Sequence, residues 1–231
     1  MGFDHAMTAS PCIKRYRPGL QTAALALVAL AINGGAFAQD EVASPTVPAE
    51  ARGVSQAVTA AELARWGRER RDAGALVMAA RLLAEVPVRQ TGSETAVMTT
   101  DGLLDEAGAL APDNPGLQDA IARLRDPALR GARSSTFGIG PVSTAKSLKA
   151  RERWAFQIEA RGNETLRIAA IGDGDTDIDL TVTDASGRVV CRDRLGDHYP
   201  VCTLSPRRPG PMRIDVVNRG AVWTKVQVLS N

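Results

Sequence analysis

Two rhythms of apolar residues divide the chain. In its first part, up to about position 127, they recur at helical spacing. Thr59-Ala60-Ala61-Glu62 has the form of a capping box, whose hydroxyl and carboxylate each take a backbone N–H that the helix cannot satisfy itself. Ala60, Leu63, Ala64 and Gly67 then follow at i, i+3, i+4 and i+7. A second helix is predicted over Ala75–Val86, apolar nearly all round and so covered by neighbours. Leu103, Leu104, Ala107, Leu110 and Ala111 predict a third helix. Asn114-Pro115, a capping residue before a proline at the first helical position, opens a fourth with Leu117, Ala120, Ile121 and Leu124. No 34-residue self-similarity of a helical repeat is present.

Beyond position 150 the period falls to two. Trp154, Phe156 and Ile158 alternate with polar or small neighbours, as do Leu166, Ile168 and Ala170, then Ile178, Leu180 and Val182, then Met212, Ile214 and Val216. That alternation suits a sheet with one buried and one wetted face. Turn-forming clusters at Arg161-Gly162-Asn163, Asp184-Ala185-Ser186-Gly187, Pro209-Gly210-Pro211 and Asn218-Arg219-Gly220 separate about seven short strands. Strands that short and evenly spaced predict an antiparallel sandwich. The fold class expected is therefore α+β multidomain: a small α-helical bundle over 59–127, then a jelly-roll-like antiparallel β-sandwich over 150–231. Residues 39–58 read as a flexible tether, and 128–149, rich in Ser, Gly, Thr and Lys, as a linker or an irregular lead-in strand.

The first 38 residues have the form of a secretory signal peptide. Lys14, Arg15 and Arg17 precede an apolar run from Leu20 to Ile32, and Ala36-Phe37-Ala38 supplies small residues for cleavage after Ala38. The apolar run is shorter than the roughly 20 residues that cross a bilayer, so no stable membrane anchor is expected once the leader is gone. The expected compartment is the periplasm or the exterior. Of 28 Lys+Arg and 26 Asp+Glu, three basic and one acidic residue leave with the leader, making the mature chain neutral. Charges so balanced and interspersed argue against a nucleic-acid partner.

Charge aside, export changes the meaning of the cysteines. Only Cys191 and Cys202 remain in the mature chain, and in an oxidising compartment the simplest reading is a disulfide. The two lie on or beside successive strands, so the bridge is expected to pin the hairpin between Arg192 and Val201.

Several of these segments resemble a known family. Gly174-Asp175-Thr176-Asp177-Ile178-Asp179-Leu180-Thr181-Val182, then Asp184-Ala185-Ser186-Gly187, then Pro209-Gly210-Pro211-Met212-Arg213-Ile214-Asp215-Val216 and the last strand from Trp223 to Leu229 resemble the bacterial pre-peptidase C-terminal domain. That family's pattern is an Asp-x-Asp-Leu strand, a turn and a late Pro-Gly-x-Tyr/Phe strand. Met212 stands near the place of its aromatic residue. The resemblance implies a small jelly-roll sandwich of the kind appended to secreted enzymes. A helical domain ahead of such a sandwich resembles a group of secreted proteobacterial proteins.

The sharpest chemical feature is the acidic string Asp173, Asp175, Asp177 and Asp179. Alternating carboxylates can converge on calcium, which takes six to eight oxygens. The string reads equally as a solvated or Arg-paired acidic loop, with Arg188, Arg192 and Arg194 within reach in sequence. An EF-hand is excluded, because Ile178 stands where its turn requires glycine. His198 is the one imidazole of the mature chain, so a zinc site of several histidines is excluded too. No Gly-x-Ser-x-Gly, phosphate loop or dinucleotide fingerprint is present, and no catalytic residue is assigned. Trp223 is out of phase with Val222, Val226 and Val228, which marks it as exposed, either packing at the rim or serving as a stacking platform for a ligand. The function expected is a non-catalytic, secreted or periplasmic one: a sandwich that binds or stabilises, with helices offering a protein-contact surface, towards a protein or an envelope glycan. An accessory part of a secreted hydrolase, a weak carboxylate hydrolase and a calcium-stabilised envelope protein are the alternatives.

Overall fold

A computed structural model describes residues 44–126 and 136–231. The leader, the start of the tether and the beginning of the linker lie outside the described residues. Four helices come first: α1 (Ala49–Arg70), α2 (Ala73–Ala84), α3 (Thr100–Leu110) and α4 (Pro115–Arg125). The last three start where the sequence predicts, within two or three residues. Asp72 accepts from Ala75 N, Thr99 from Gly102 N and Asn114 from Leu117 N, each satisfying a donor that the first turn leaves open.

The first helix corrects the expected boundary. Pro48 occupies its N-cap position, so the segment read as tether is helical from Ala49 onward. Thr59 lies inside the helix, where its hydroxyl donates to the Ser55 carbonyl at 3.1 Å instead of capping. The cause is packing that small residues alone permit. Ala51, Val54, Ala57, Val58, Ala60, Ala61 and Ala64 are all buried, and Gly53 lies close to Pro141, Val86 and Phe137. Alanine has the best intrinsic helix propensity, yet a face made of it carries a weak amphipathic signal.

Nine strands follow the same logic: β1 (Arg89–Thr91), β2 (Val142–Leu148), β3 (Arg153–Ala160), β4 (Leu166–Gly172), β5 (Ile178–Thr183), β6 (Val189–Asp193), β7 (Val201–Leu204), β8 (Gly210–Asn218) and β9 (Thr224–Ser230). They form two sheets, ordered β1-β2-β9-β4-β7 and β3-β8-β5-β6. Without β1, consecutive strands from β2 to β9 alternate between the sheets except for the β5–β6 hairpin, which gives the two four-stranded orders of a jelly roll. The short β1, which comes from the helical segment, adds to β2 in parallel. Strand β2 decides between linker and lead-in strand: the stretch is strand from Val142. Ser143 and Ala145 are buried there on the face shared with Leu229 and Gln227 of β9, and the Ser143 hydroxyl is satisfied by Gln227 Nε2 at 3.0 Å, so a polar residue fills a buried position.

Between the sheets lies one core, built from Leu148, Leu166, Ile168, Ala170, Ile178, Leu180, Val182, Ile214, Val216, Val226 and Val228, among others. A second core lies on the outer face of the β2-β9-β4-β7 sheet, where Ala169, Ile171 and Leu229 join Val54, Ala57, Leu76, Leu103 and Leu104 of the helices. This face was expected to be wet. It is dry because α1 packs along β4, and Ala43–Asn231 forms one compact unit.

Cys191 and Cys202 are bonded, with their Cα atoms 5.8 Å apart. Their strands are not partners in a hairpin: β6 is an edge of one sheet and β7 an edge of the other. The bridge therefore staples the sandwich across its open side. The two cysteines are 11 positions apart, and closing a loop of about that size contributes roughly 3 kcal/mol. Replacing both cysteines by alanine is expected to lower the unfolding free energy by about this amount, read from the urea midpoint, with an unchanged far-ultraviolet circular dichroism spectrum. A loss below about 0.5 kcal/mol would show that the staple constrains little.

Candidate functional site

One end of the jelly roll gathers four connections: 149–152, 173–177, 194–200 and 219–223. The sequence-predicted residues Asp173, Asp175, Asp177, Asp179 and Trp223 all belong to this end, yet the four carboxylates do not converge. Asp173 accepts from the Thr224 hydroxyl at 2.6 Å and from Lys225 N at 2.8 Å. Asp179 is 5% exposed and pairs through Oδ2 with Arg194 Nε at 3.3 Å and Arg219 Nε at 3.5 Å. Asp175 is exposed, and Asp177 has one buried oxygen, Oδ1, without a hydrogen-bond partner. Among the described residues, no three His, Cys, Asp or Glu side chains are grouped to hold a metal ion. Two members of the acidic string, Asp173 and Asp179, thus serve as acceptors within the protein.

The loops are tied together closely. The Asp177 carbonyl accepts from Arg219 N at 2.8 Å, and the Asp197 carbonyl from Ile178 N at 3.0 Å. Asn218 is fully buried and acts as a knot: its amide donates to the carbonyls of Lys149 and Val222, and its oxygen accepts from Gly220 N. Gly220 lies flat on Thr176, whose side chain a Cβ at that position would strike. Drawing the base of the loop inward leaves its tip outward. Trp223 is 62% exposed, as its phase in the sequence suggests, with Val222 beside it. Leu195, on the loop tied in through Arg194, is 86% exposed. Three large apolar side chains thus stand in water beside two guanidinium groups, an arrangement suited to contact with another molecule.

Next to this end, the 194–200 loop meets α1 and leaves a groove of about 660 Å³ lined by Glu62, Arg65, Trp66, Asp197, His198 and Tyr199, among others. Sequence reading missed it, because its walls come from distant segments. His198 Nδ1 lies 2.6 Å from the Thr176 carbonyl. A carbonyl only accepts, so Nδ1 carries the proton, and in the neutral imidazole Nε2 is then the acceptor. The Tyr199 ring is 8% exposed, and burial first of all holds its hydroxyl above the usual phenol range. This hydroxyl stays a donor at neutral pH.

No protein-family profile and no curated protein matches the chain. Solved structures do. The pre-peptidase C-terminal domain of a Bacillus anthracis collagenase aligns with a TM-score of 0.35 and 7% identity, over 39% of this chain and 89% of that one. Aeromonas hydrophila PliG, a periplasmic inhibitor of g-type lysozyme, aligns with a TM-score of 0.30 and 13% identity, over 39% and 86%. The similarity is one of fold, and the jelly-roll assignment stands on the strand order itself.

Asp179 gives the site a measurable pH signature. Its burial outweighs Arg219 and Arg194 and holds the carboxyl above the usual range. The folded state therefore keeps this proton more tightly than the unfolded chain does. Stability from it is complete below the unfolded value of about 3.9 and is lost as pH rises through the folded value. An Asp179→Asn variant cannot titrate, and is expected to gain on the parent in urea midpoint between about pH 3 and pH 6. The opposite trend would mean that the two arginines dominate.

Proposed function

We propose that this protein is a non-catalytic binding protein of the periplasm or exterior, delivered by the leader over residues 1–38 and recognising a partner protein through the loop end of its jelly roll. The observation that carries the reading is the exposed group Leu195, Val222 and Trp223, beside Arg194 and Arg219. Exposed aromatic and arginine side chains are the usual anchors of protein interfaces. The buried Asn218 and Asp179 hold this group in a fixed arrangement, so little ordering entropy is lost when a partner arrives. The disulfide agrees with an oxidising compartment. Among the described residues, no helix is long and apolar enough to cross a membrane. The outer faces of the helices, with Met78 exposed on α2, add a second surface for contact.

The test compares the mature chain with a Leu195→Asp/Trp223→Asp variant, each immobilised and challenged with an envelope extract. Both positions are exposed, so the variant is expected to keep its thermal midpoint. A partner retained by the parent and lost from the variant supports the reading. Retention of the same proteins by both would move the contact to another surface.

A further inference from the structure

We propose that the groove between α1 and the 194–200 loop is a binding site for a neutral saccharide, with a pyranose ring laid on Trp66 and its hydroxyls shared among Glu62, Arg65, His198 and Tyr199. This site uses none of the side chains assigned above to the partner-binding loop tips. Its size suits a small ligand, since such sites run from roughly 300 to 1,000 Å³ and this one is about 660 Å³.

The chemistry of the lining selects the ligand class. Trp66 is 41% exposed and lines the groove; the Arg70 guanidinium stacks over one face of its ring, 4.6 Å from the centroid, which leaves the opposite face for a ligand. A flat apolar surface then lies beside polar groups of both kinds. Glu62 is exposed and makes no ion pair among the described residues, so its carboxylate can accept. With Nδ1 donating to Thr176, His198 Nε2 is an acceptor in the neutral imidazole. Arg65 gives one N–H to Glu69 and keeps others, and the Tyr199 hydroxyl donates. An anion would meet Glu62 and Asp197, and a cation would meet Arg65. A sugar hydroxyl both donates and accepts, and the C–H face of a pyranose is apolar, so a neutral ring satisfies all of these groups together.

The walls are also fixed in advance. Val201 N donates to Asp193 Oδ2 at 2.8 Å, Tyr199 N to Asp197 Oδ1 at 3.0 Å, and Gly172 N to the His198 carbonyl at 2.9 Å. The loop is pinned on both sides of His198, and α1 is anchored by its buried alanine face. Binding then needs little rearrangement of the protein.

The experiment is titration calorimetry, with saturation-transfer NMR as a second readout, on the mature chain. The probes are two neutral trisaccharides (maltotriose and chitotriose), one acidic trisaccharide (trigalacturonate) and arginine amide. At least one neutral trisaccharide is expected to bind with a Kd of about 10 mM or tighter. Trp66→Ala is expected to weaken it by about tenfold and Glu62→Gln by about threefold, while Trp223→Ala leaves it within about twofold. Both groove residues are exposed, and an unchanged thermal midpoint confirms that each variant is folded. Failure of both neutral sugars at about 10 mM, tighter binding of trigalacturonate or arginine amide, or a Trp66→Ala variant that binds like the parent would each overturn the proposal. Because Trp223 is outside the groove, this result and that for the loop tips can fail separately.

Discussion

The middle of the β2-β9-β4-β7 sheet has no wet face, and the rest of the architecture answers that fact. Ile168 and Ala170 of β4 point into the sandwich, while Ala169 and Ile171 point out of it, and all four are buried. A strand that is apolar on both sides must be covered on both sides. The second sheet covers one face and the helices cover the other. Small residues let α1 approach closely: the alanines that line its buried face bring the helix axis near the sheet, and Gln227 fixes the α2–α3 connection by accepting from Met98 N. Where α1 passes the end of the sheet, it becomes the wall of a groove whose opposite wall is a jelly-roll loop.

Much of this was legible in the sequence where side chains are large. Leu103, Leu104 and Ile121 announce α3 and α4, and the alternation of Ile178, Leu180 and Val182 with polar neighbours announces β5. Residues Ala49 to Val58 did not announce a helix, because an alanine surface buries little area per residue and has weak contrast between its faces. β2 was hidden for a related reason: two of its three buried positions hold Ser143 and Ala145. β4 shows why pattern alone could not reveal the covered sheet. Alanine at position 169 reads as a neutral spacer, and only Ile171 hints that the outer face is also apolar.

At the site, the sequence supplied the parts and not their arrangement. The phase of Trp223 relative to its strand foretold its exposure, since phase is a property of local backbone. Asp173 and Asp179 sit in one acidic string, yet one turns to Thr224 and Lys225 and the other to Arg194 and Arg219, residues brought near only by tertiary structure. The groove could not be foreseen at all. Its aromatic wall lies on a helix and its imidazole on a loop far along the chain, and the Thr176 carbonyl that sets the tautomer belongs to a third segment.

The four outer edges of the two sheets are unequal. β1 is three residues long, and the short edges β6 and β7 are stapled to each other through the side chains of Cys191 and Cys202. Among the described strands, β3, eight residues long, is the longest outer row of peptide groups, and so the edge on which a neighbouring strand would find the most partners.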